Sequence, residues 1–273
     1  REARPVPEYP DLTLYVEALE ARVRGQLLEK VRIQSPSLLK SVALPPASLE
    51  GLPVEGVHRM GKRLVFEFPE ERFAVLHLMI AGRLHWKKRG VAIPRKRAHA
   101  AFDFPGGSLL LTEASTQKRA SLHVIQGNRA LADLDPGGLE VFQASPEAFR
   151  EALTKERHTL KRSLTDPHLF SGIGNAYSDE ILHRAGLSPV KMSDRLSEAE
   201  HARLLEKTRA DHEEWTDRAR NEDGDGFPEK VTAFRPEMAV HGKCREPCPV
   251  RDTPVQRIVR AAHEVNYCQG CQT

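Results

Sequence analysis

The chain has 273 residues, 40% of them hydrophobic, with a formal net charge of +3 and a pI near 8.7. That length and apolar content allow two domains and exclude a disordered tail. So mild a basicity permits a nucleic-acid partner and makes the distribution of charge more informative than its total. No apolar run reaches transmembrane length and no signal-peptide or low-complexity pattern occurs, so the expectation is a cytoplasmic chain with no membrane partner.

The first predicted element is a helix within "VPEYPDLTLYVEALEARVRG", where Leu12, Val16, Leu19 and Val23 recur at helical spacing. Pro10 and Asp11 suit its first turn and Gly25 its end. That account leaves Pro7 and Glu8 without a reason. Strand patterns follow: alternation at Leu64, Phe66 and Phe68, a turn at Pro69-Glu70-Glu71, and an apolar run from Phe73 to Ile80. Pro105-Gly106-Gly107 marks another turn between strand-like runs. Between these, Arg83 to His99 holds seven Lys or Arg in seventeen residues and no acid. A solvated loop or a phosphate-facing loop both fit such a run.

Residues 7–130 therefore predict an antiparallel β unit with one helix, and 131–144, containing Asp135-Pro136-Gly137-Gly138, a linker. From Ser145 the period becomes helical, in "SPEAFREALTK", "HTLKRSLTD", "NAYSDEILHRAG" and "SEAEHARLLEKTRADHEEWTDRARNE", so 145–231 predict a helical domain. Gly186, ahead of Pro189, and Gly224-Gly226 stop two of these helices. Residues 232–273 are too few to hold themselves together without a staple, and all four cysteines lie there, a placement that suits a local metal site.

"LFSGIGNAYSDEILHRAGLSP" carries the most specific signal. Gly172 and Gly174 before Asn175 and a helix would let backbone N–H groups and a side-chain amide meet an anion. The complete string, through Gly172, Gly174, Asn175, Tyr177, Glu180 and Leu182, resembles the helix-two-turn-helix motif of the formamidopyrimidine-DNA glycosylase and endonuclease VIII family, G-[IV]-G-N-x-Y-x-x-E-x-L. Pro7-Glu8-Tyr9-Pro10-Asp11 resembles that family's P-E-L-P-E opening, Gly61-Lys62-Arg63 its G-K-x turn, and "HLMIAGRL" from His77 its H-L-x-M-x-G-x-L strand.

The resemblance implies an α+β multidomain fold: an N-terminal antiparallel β-sandwich with a helix, a helical helix-two-turn-helix domain, and a terminal zinc-finger-like β-hairpin. It implies a bifunctional DNA glycosylase and apurinic/apyrimidinic lyase of base excision repair, a bacterial, nucleoid-associated monomer whose partner is damaged double-stranded DNA. A damaged nucleotide is flipped out because its sugar carbon cannot be reached in the stack. Pro7 would attack C1′ as a secondary amine, Glu8 would manage protons as acid and base, and Lys62 would contact a phosphate near the reacting sugar. Asn175, with backbone at Gly172 and Gly174, would grip a second phosphate. Met79 or Ile80 would fill the gap left by the extruded base. Lys118 and Arg119 stand where the family has its R-R-F-G loop against the opposite base, without the phenylalanine. The alternative is a non-catalytic protein that keeps the fold and binds damaged DNA. Which lesion is excised is not written in a single sequence.

Chemistry adds one requirement. An α-amine with pKa near ~8 is partly neutral at pH 7, whereas a proline nitrogen inside a peptide bond is an amide. Here Val6 precedes Pro7. Since a GTG codon also starts bacterial chains, the expectation is that Arg1 to Val6 reflect an upstream start or a leader and that the working chain begins at Pro7.

The finger departs furthest from the family form, C-x2-C-x16-C-x2-C. Cys244, Cys248, Cys268 and Cys271 give C-x3-C-x19-C-x2-C, with Arg251 at the usual second cysteine. Four thiolates could hold zinc, as could three cysteines with His241 or His263; a zinc-free hairpin is the third option. The arginine with which the family's finger reaches a phosphate falls on His263, with Arg260 nearby.

Overall fold

The computed structural model describes residues 6–41, 44–115, 117–224, 226–229, 231, 235–260 and 263–273. Contacts divide the chain into two units, Arg1–Asp135 with Ala219–Val231, and Pro136–Arg218 with Thr232–Thr273.

In the first unit, helix α1 (Tyr9–Val23) starts where the sequence places Pro10 and Asp11 in its first turn. Leu12, Tyr15, Leu19 and Val23 are fully buried along one face. Each such side chain contributes roughly 1.5–3 kcal/mol by leaving water. The helix covers a sandwich of two antiparallel four-stranded sheets. One has the order β1 (Lys30–Ile33), β6 (Ala98–Phe104), β7 (Gly107–Glu113), β5 (Gly82–Lys87); the other has β2 (Gly56–Met60), β3 (Arg63–Phe68), β4 (Arg72–His77), β8 (Ser121–Gln126). Alternation along β3 sends Leu64, Phe66 and Phe68 into the core shared with α1. Val65 joins Phe73, Val75 and Ile125 on the opposite face, packed by Ala130 and Leu131 of α2 (Asn128–Ala132). Both faces of this sheet are thus covered, which is why β4 reads as a continuous apolar run.

That run was expected to extend to Ile80. The strand stops at His77 because the chain turns: the Gly82 N–H donates to the Leu78 carbonyl at 2.9 Å. A Cβ on Gly82 would sit 2.2 Å from that oxygen, so only glycine closes this turn.

Residues 219–231, which the sequence reading places at the end of the helical stretch 145–231, cluster by their contacts with the first unit. Phe227 lies 5.8 Å from Tyr15 and 6.5 Å from Trp86, ring centre to ring centre. Arg220 pairs with Glu17 at 2.5 Å, Lys87 with Glu229 at 2.6 Å, and Arg83 Nε donates to the Val231 carbonyl at 2.8 Å.

The second unit holds α3 (Pro146–Thr154), α4 (Leu160–Thr165), α5 (Asn175–Ala185) and α6 (Glu198–Asp223) as far as Arg218. Ser145 caps α3, its Oγ accepting from Ala148 N–H at 3.1 Å, and Gly186 ends α5 in the left-handed region at φ 65°. The helices enclose Phe149, Leu160, Phe170, Tyr177, Leu204 and Trp215. A two-stranded antiparallel hairpin, β9 (Gln256–Arg260) and β10 (His263–Tyr267), completes the unit. The architecture is the α+β arrangement expected from the sequence. Among the described residues no helix is long and apolar enough to cross a membrane.

Candidate functional site

In the first unit Pro7 and Glu8 are both buried at the head of α1. Glu8 occupies the N-cap position and its backbone N–H donates to Asp11 Oδ2 at 3.0 Å. The next residue, Tyr9, lies under the Arg59 guanidinium, 4.6 Å from it to the ring centre, and Arg59 also donates to the Gly61 carbonyl at 2.8 Å. A cation over a ring contributes about 0.5–1 kcal/mol where solvent reaches it and more where it does not. This contact ties the start of α1 to the two-residue turn Gly61-Lys62 that joins β2 to β3, and Gly61 meets the turn's demand at φ 60°.

Lys62 is half-buried there, and His77 is held close to it. Burial first, then Arg63, Lys62 and His123, push the His77 pKa from 6.5 down to about 4. Its Nδ1 accepts from the Met79 N–H at 3.1 Å, which puts the ring proton on Nε2. Lys62 and Arg63 bring positive charge to His77, and Arg63 to His123, two imidazoles whose pKa burial already lowers, while Asp135 acts on Arg63 in the opposite sense. Sequence reading took "HLMIAGRL" only for its wedge and missed His77.

Met79 and Ile80 sit in the turn between β4 and β5. Met79 is in the left-handed region at φ 52°, a conformation costing about 1–2 kcal/mol for a residue with a Cβ. Ile80 is 40% exposed. Ile80 is therefore the more open of the two wedge candidates.

Lys118 and Arg119 lie in an exposed loop hung from one buried carboxylate. Glu113 accepts from the Arg119 N–H at 2.9 Å, the Ala120 N–H at 3.3 Å and the buried His99 Nε2 at 2.7 Å, while Lys118 Nζ donates to the Glu113 carbonyl at 2.5 Å. Burial holds the His99 pKa down, against the opposing pull of Glu113. In the basic run, Lys87 and Arg89 are paired with Glu229 and Glu29, whereas Arg95, Lys96 and Arg97 are exposed.

In the second unit, the G-I-G-N turn is built from the linker upward. Leu139 N–H donates to the Leu169 carbonyl at 2.9 Å, Ser171 N–H to the Leu139 carbonyl at 3.0 Å, and a Cβ on Gly138 would meet the Pro167 oxygen at 2.4 Å. Gly172 follows at φ 80°, Gly174 caps α5, and Asn175 opens it, half-buried. Lys161 Nζ donates to the Asn175 carbonyl at 2.6 Å and to Asp179 Oδ1 at 2.5 Å. The other motif residues face inward. Tyr177 and Leu182 are core residues, and buried Glu180 accepts the N–H groups of Ala239, Val240 and His241 at 2.8, 2.9 and 2.8 Å.

The cysteines gather differently from the sequence expectation. Donor atoms of His183, Cys248 and Cys271 lie within 4.8 Å of one another, and the Cys268 thiol adjoins Cys248 and Cys271. Neither Cys268 nor Cys244 is within that distance of all three, and of the two only Cys268 is in contact with the cluster's thiols. His241, one of the alternative ligands, turns its Nδ1 to Asp179 Oδ2 at 2.8 Å. The Cys271 thiol is pushed up to about 12 by burial and by the neighbouring Cys248 and Cys268; Cys248 shifts down in spite of burial, because the Val250 and Arg251 N–H groups favour its thiolate. The side chains of Arg260 and His263 lie outside the described residues. His183 lies on α5, remote in sequence from the cysteines, so their spacing gives no signal for it.

Comparison with known proteins places the chain in a family. The model of the formamidopyrimidine-DNA glycosylase N-terminal domain matches residues 6–119, and that of the formamidopyrimidine-DNA glycosylase H2TH domain matches residues 138–211. The formamidopyrimidine-DNA glycosylase of Geobacillus kaustophilus is 30% identical over 281 residues, covering 98% of this chain and 100% of the relative. That of Heliobacterium modesticaldum is 29% identical over 282 residues, covering 98% and 100%. Among solved structures, a Lactococcus lactis Fpg complex with abasic-site-containing DNA shares the fold with a TM-score of 0.86 at 23% identity, over 97% of this chain and 99% of that one. A Lactococcus lactis Fpg mutant with Fapy-dG-containing DNA gives 0.86 at 24% identity, over 98% and 100%. The chain belongs to the formamidopyrimidine-DNA glycosylase family.

Proposed function

We propose that this protein is a bifunctional DNA glycosylase and apurinic/apyrimidinic lyase of base excision repair, acting as a bacterial cytoplasmic monomer on damaged double-stranded DNA. The observation that carries the reading is the buried Pro7-Glu8 start of α1, tied through Tyr9 and Arg59 to the hairpin that bears Lys62. The Pro7 nitrogen attacks C1′ of an extruded nucleotide; the C1′–N bond breaks and its electron pair leaves with the base, which takes a proton. The attached nitrogen loses its proton, the C1′–O4′ bond opens as O4′ takes a proton, and the C1′ iminium so formed acidifies C2′; loss of a C2′ proton then breaks the C3′–O bond, expels the 3′ phosphate and cuts the strand. Glu8 manages these protons, with Lys62 and Asn175 as phosphate anchors and Ile80 or Met79 as the wedge. Lys118 and Arg119 face the opposite strand, and Arg260 and His263 are candidate phosphate contacts of the finger.

The reading requires a Pro7 nitrogen that is not acylated. The gathered thiols and imidazole suit a structural zinc, whose contribution is a cross-link for a hairpin too short to bury a core. Borohydride trapping on an abasic duplex tests the proposal. A covalent adduct mapped to Pro7 and lost in Pro7→Ala supports it. Duplex binding without trapping supports instead a damage-binding protein that keeps the fold without the chemistry.

A further inference from the structure

We propose that the metal of the C-terminal hairpin is held by Cys248, Cys268, Cys271 and, from helix α5, His183, so that it fastens the hairpin to the helix of the G-I-G-N motif and leaves Cys244 out. The spacing of the donors is the first argument. His183 Nε2 is 3.3 Å from Cys248 Sγ, and Cys248 Sγ is 3.6 Å from Cys271 Sγ. Bonds of about 2.3 Å to sulfur and 2.0–2.1 Å to nitrogen at tetrahedral angles put the corresponding edges near ~3.5 Å and ~3.8 Å. Two edges of a zinc tetrahedron thus stand close to their lengths, and the His183–Cys271 pair lies within 4.8 Å.

The scaffold is the second argument. His183 is buried one helical turn beyond Asp179, and Asp179 binds the hairpin twice, through His241 Nδ1 at 2.8 Å and the Asn266 N–H at 3.2 Å. The chain after Cys271 is pinned to the end of the same helix: Gln272 Nε2 donates to the Leu187 carbonyl at 2.9 Å, and Ser188 N–H to the Thr273 carbonyl at 3.1 Å. The imidazole therefore reaches the cysteines from a position fixed on two sides.

The two knuckles supply the third. At the first knuckle Cys248 N–H donates to the Thr253 carbonyl at 2.9 Å and Asp252 N–H to the Cys248 carbonyl at 2.8 Å, and at the other knuckle Cys271 N–H closes on the Cys268 carbonyl at 3.1 Å. A Cβ on Gly270 would lie 2.6 Å from Thr253 Oγ1, so the two knuckles pack with no room to spare. Arg251 stands where the family has its second cysteine, and the ligand lost there is replaced from the helix.

Full-length protein purified without chelator tests this by metal analysis, cobalt substitution and zinc-edge X-ray absorption. The expected result is one zinc per chain with a shell of one nitrogen and three sulfurs, retained in Cys244→Ser. His183→Ala should weaken zinc at least tenfold in competition with a chromophoric chelator. His183→Cys should restore it and move the cobalt bands toward an all-thiolate site, which separates ligation from a folding defect. An all-sulfur shell, zinc lost in Cys244→Ser, unchanged affinity in His183→Ala, or no bound metal would each overturn the assignment.

Discussion

A titrating ring at the base of the wedge turn gives the structure a measurable acid weakness. His77 carries a pKa of about 4 in the folded chain, against 6.5 ordinarily, with burial as the main cause and Arg63, Lys62 and His123 adding repulsion. A histidine whose folded pKa lies below its unfolded value stabilises fully above pH 6.5; the unfolded chain takes up the proton first, so stability falls through the window from 6.5 to 4 and levels below it. The gap corresponds to about 3 kcal/mol, trimmed to roughly 2–3 because the ring is only half-buried. His77→Asn removes the titration while its amide oxygen can still accept the Met79 N–H that His77 Nδ1 accepts at 3.1 Å. Urea midpoints at intervals from pH 7.5 to 4.5 are the assay. At pH 7.5 the variant should be about 1 kcal/mol less stable than the parent for the lost ring packing. By pH 4.5 it should be equal or more stable, because its profile is flatter by up to about 1.4 kcal/mol per pH unit. His99 and His201, also held low by burial and not among the groups acting on His77, give both proteins a common slope that cancels in the comparison. Parallel profiles for parent and variant would refute the reasoning.

Gly82→Ala places a methyl 2.2 Å from the Leu78 oxygen and must break the 2.9 Å hydrogen bond across the wedge turn; we expect a loss of about 2–4 kcal/mol in denaturant melts and weaker binding to an abasic duplex. Glu180→Ala strands three N–H groups of the hairpin entry and should cost about 3–5 kcal/mol, with Glu180→Gln recovering part of it because one oxygen remains to accept. Lys62→Ala should weaken binding to lesion and plain duplex alike and lower the salt slope by about one, read from fluorescence anisotropy between 50 and 200 mM salt. Asn175→Ala, which removes a neutral contact, should weaken binding while leaving that slope unchanged.

Much of the first unit was legible in the residues because it rests on periodicity. Leu12, Leu19 and Val23 mark one face of α1, and Leu64, Phe66 and Phe68 mark one face of β3. What was not legible depends on contacts between segments remote in sequence. The end of β4 turns on a carbonyl that only a glycine four residues later can approach, and Met79, left-handed without being Gly or Asn, gives no local warning. Residues 219–223 continue a helix whose period does not change at Arg218, and nothing in the pattern says that Phe227, beyond its end, will pack beside Tyr15. Glu70 and Glu71 both take positive φ, at 63° and 53°, in a turn the sequence marks only by the proline before it.

Helix α5 shows why a motif can be recognised correctly and still be half understood. At about 100° per residue, Asp179, His183 and Glu180 fall within one arc of roughly 100°, and Tyr177 and Ile181 occupy the next. The second arc is apolar core, beside Trp215. The first carries two acids and an imidazole, all buried. Three polar side chains on the covered face of a helix require matching donors and acceptors from whatever covers it. Lys161, His241, Asn266 and three backbone amides meet the acids, and a sulfur of the hairpin meets the imidazole. Glu180 in G-I-G-N-A-Y-S-D-E-I-L therefore fixes the hairpin, while Gly172, Gly174 and Asn175 open the helix toward an anion. The polar arc was present in the sequence at positions 179, 180 and 183; reading it as a demand for buried partners leads from the motif helix to the finger.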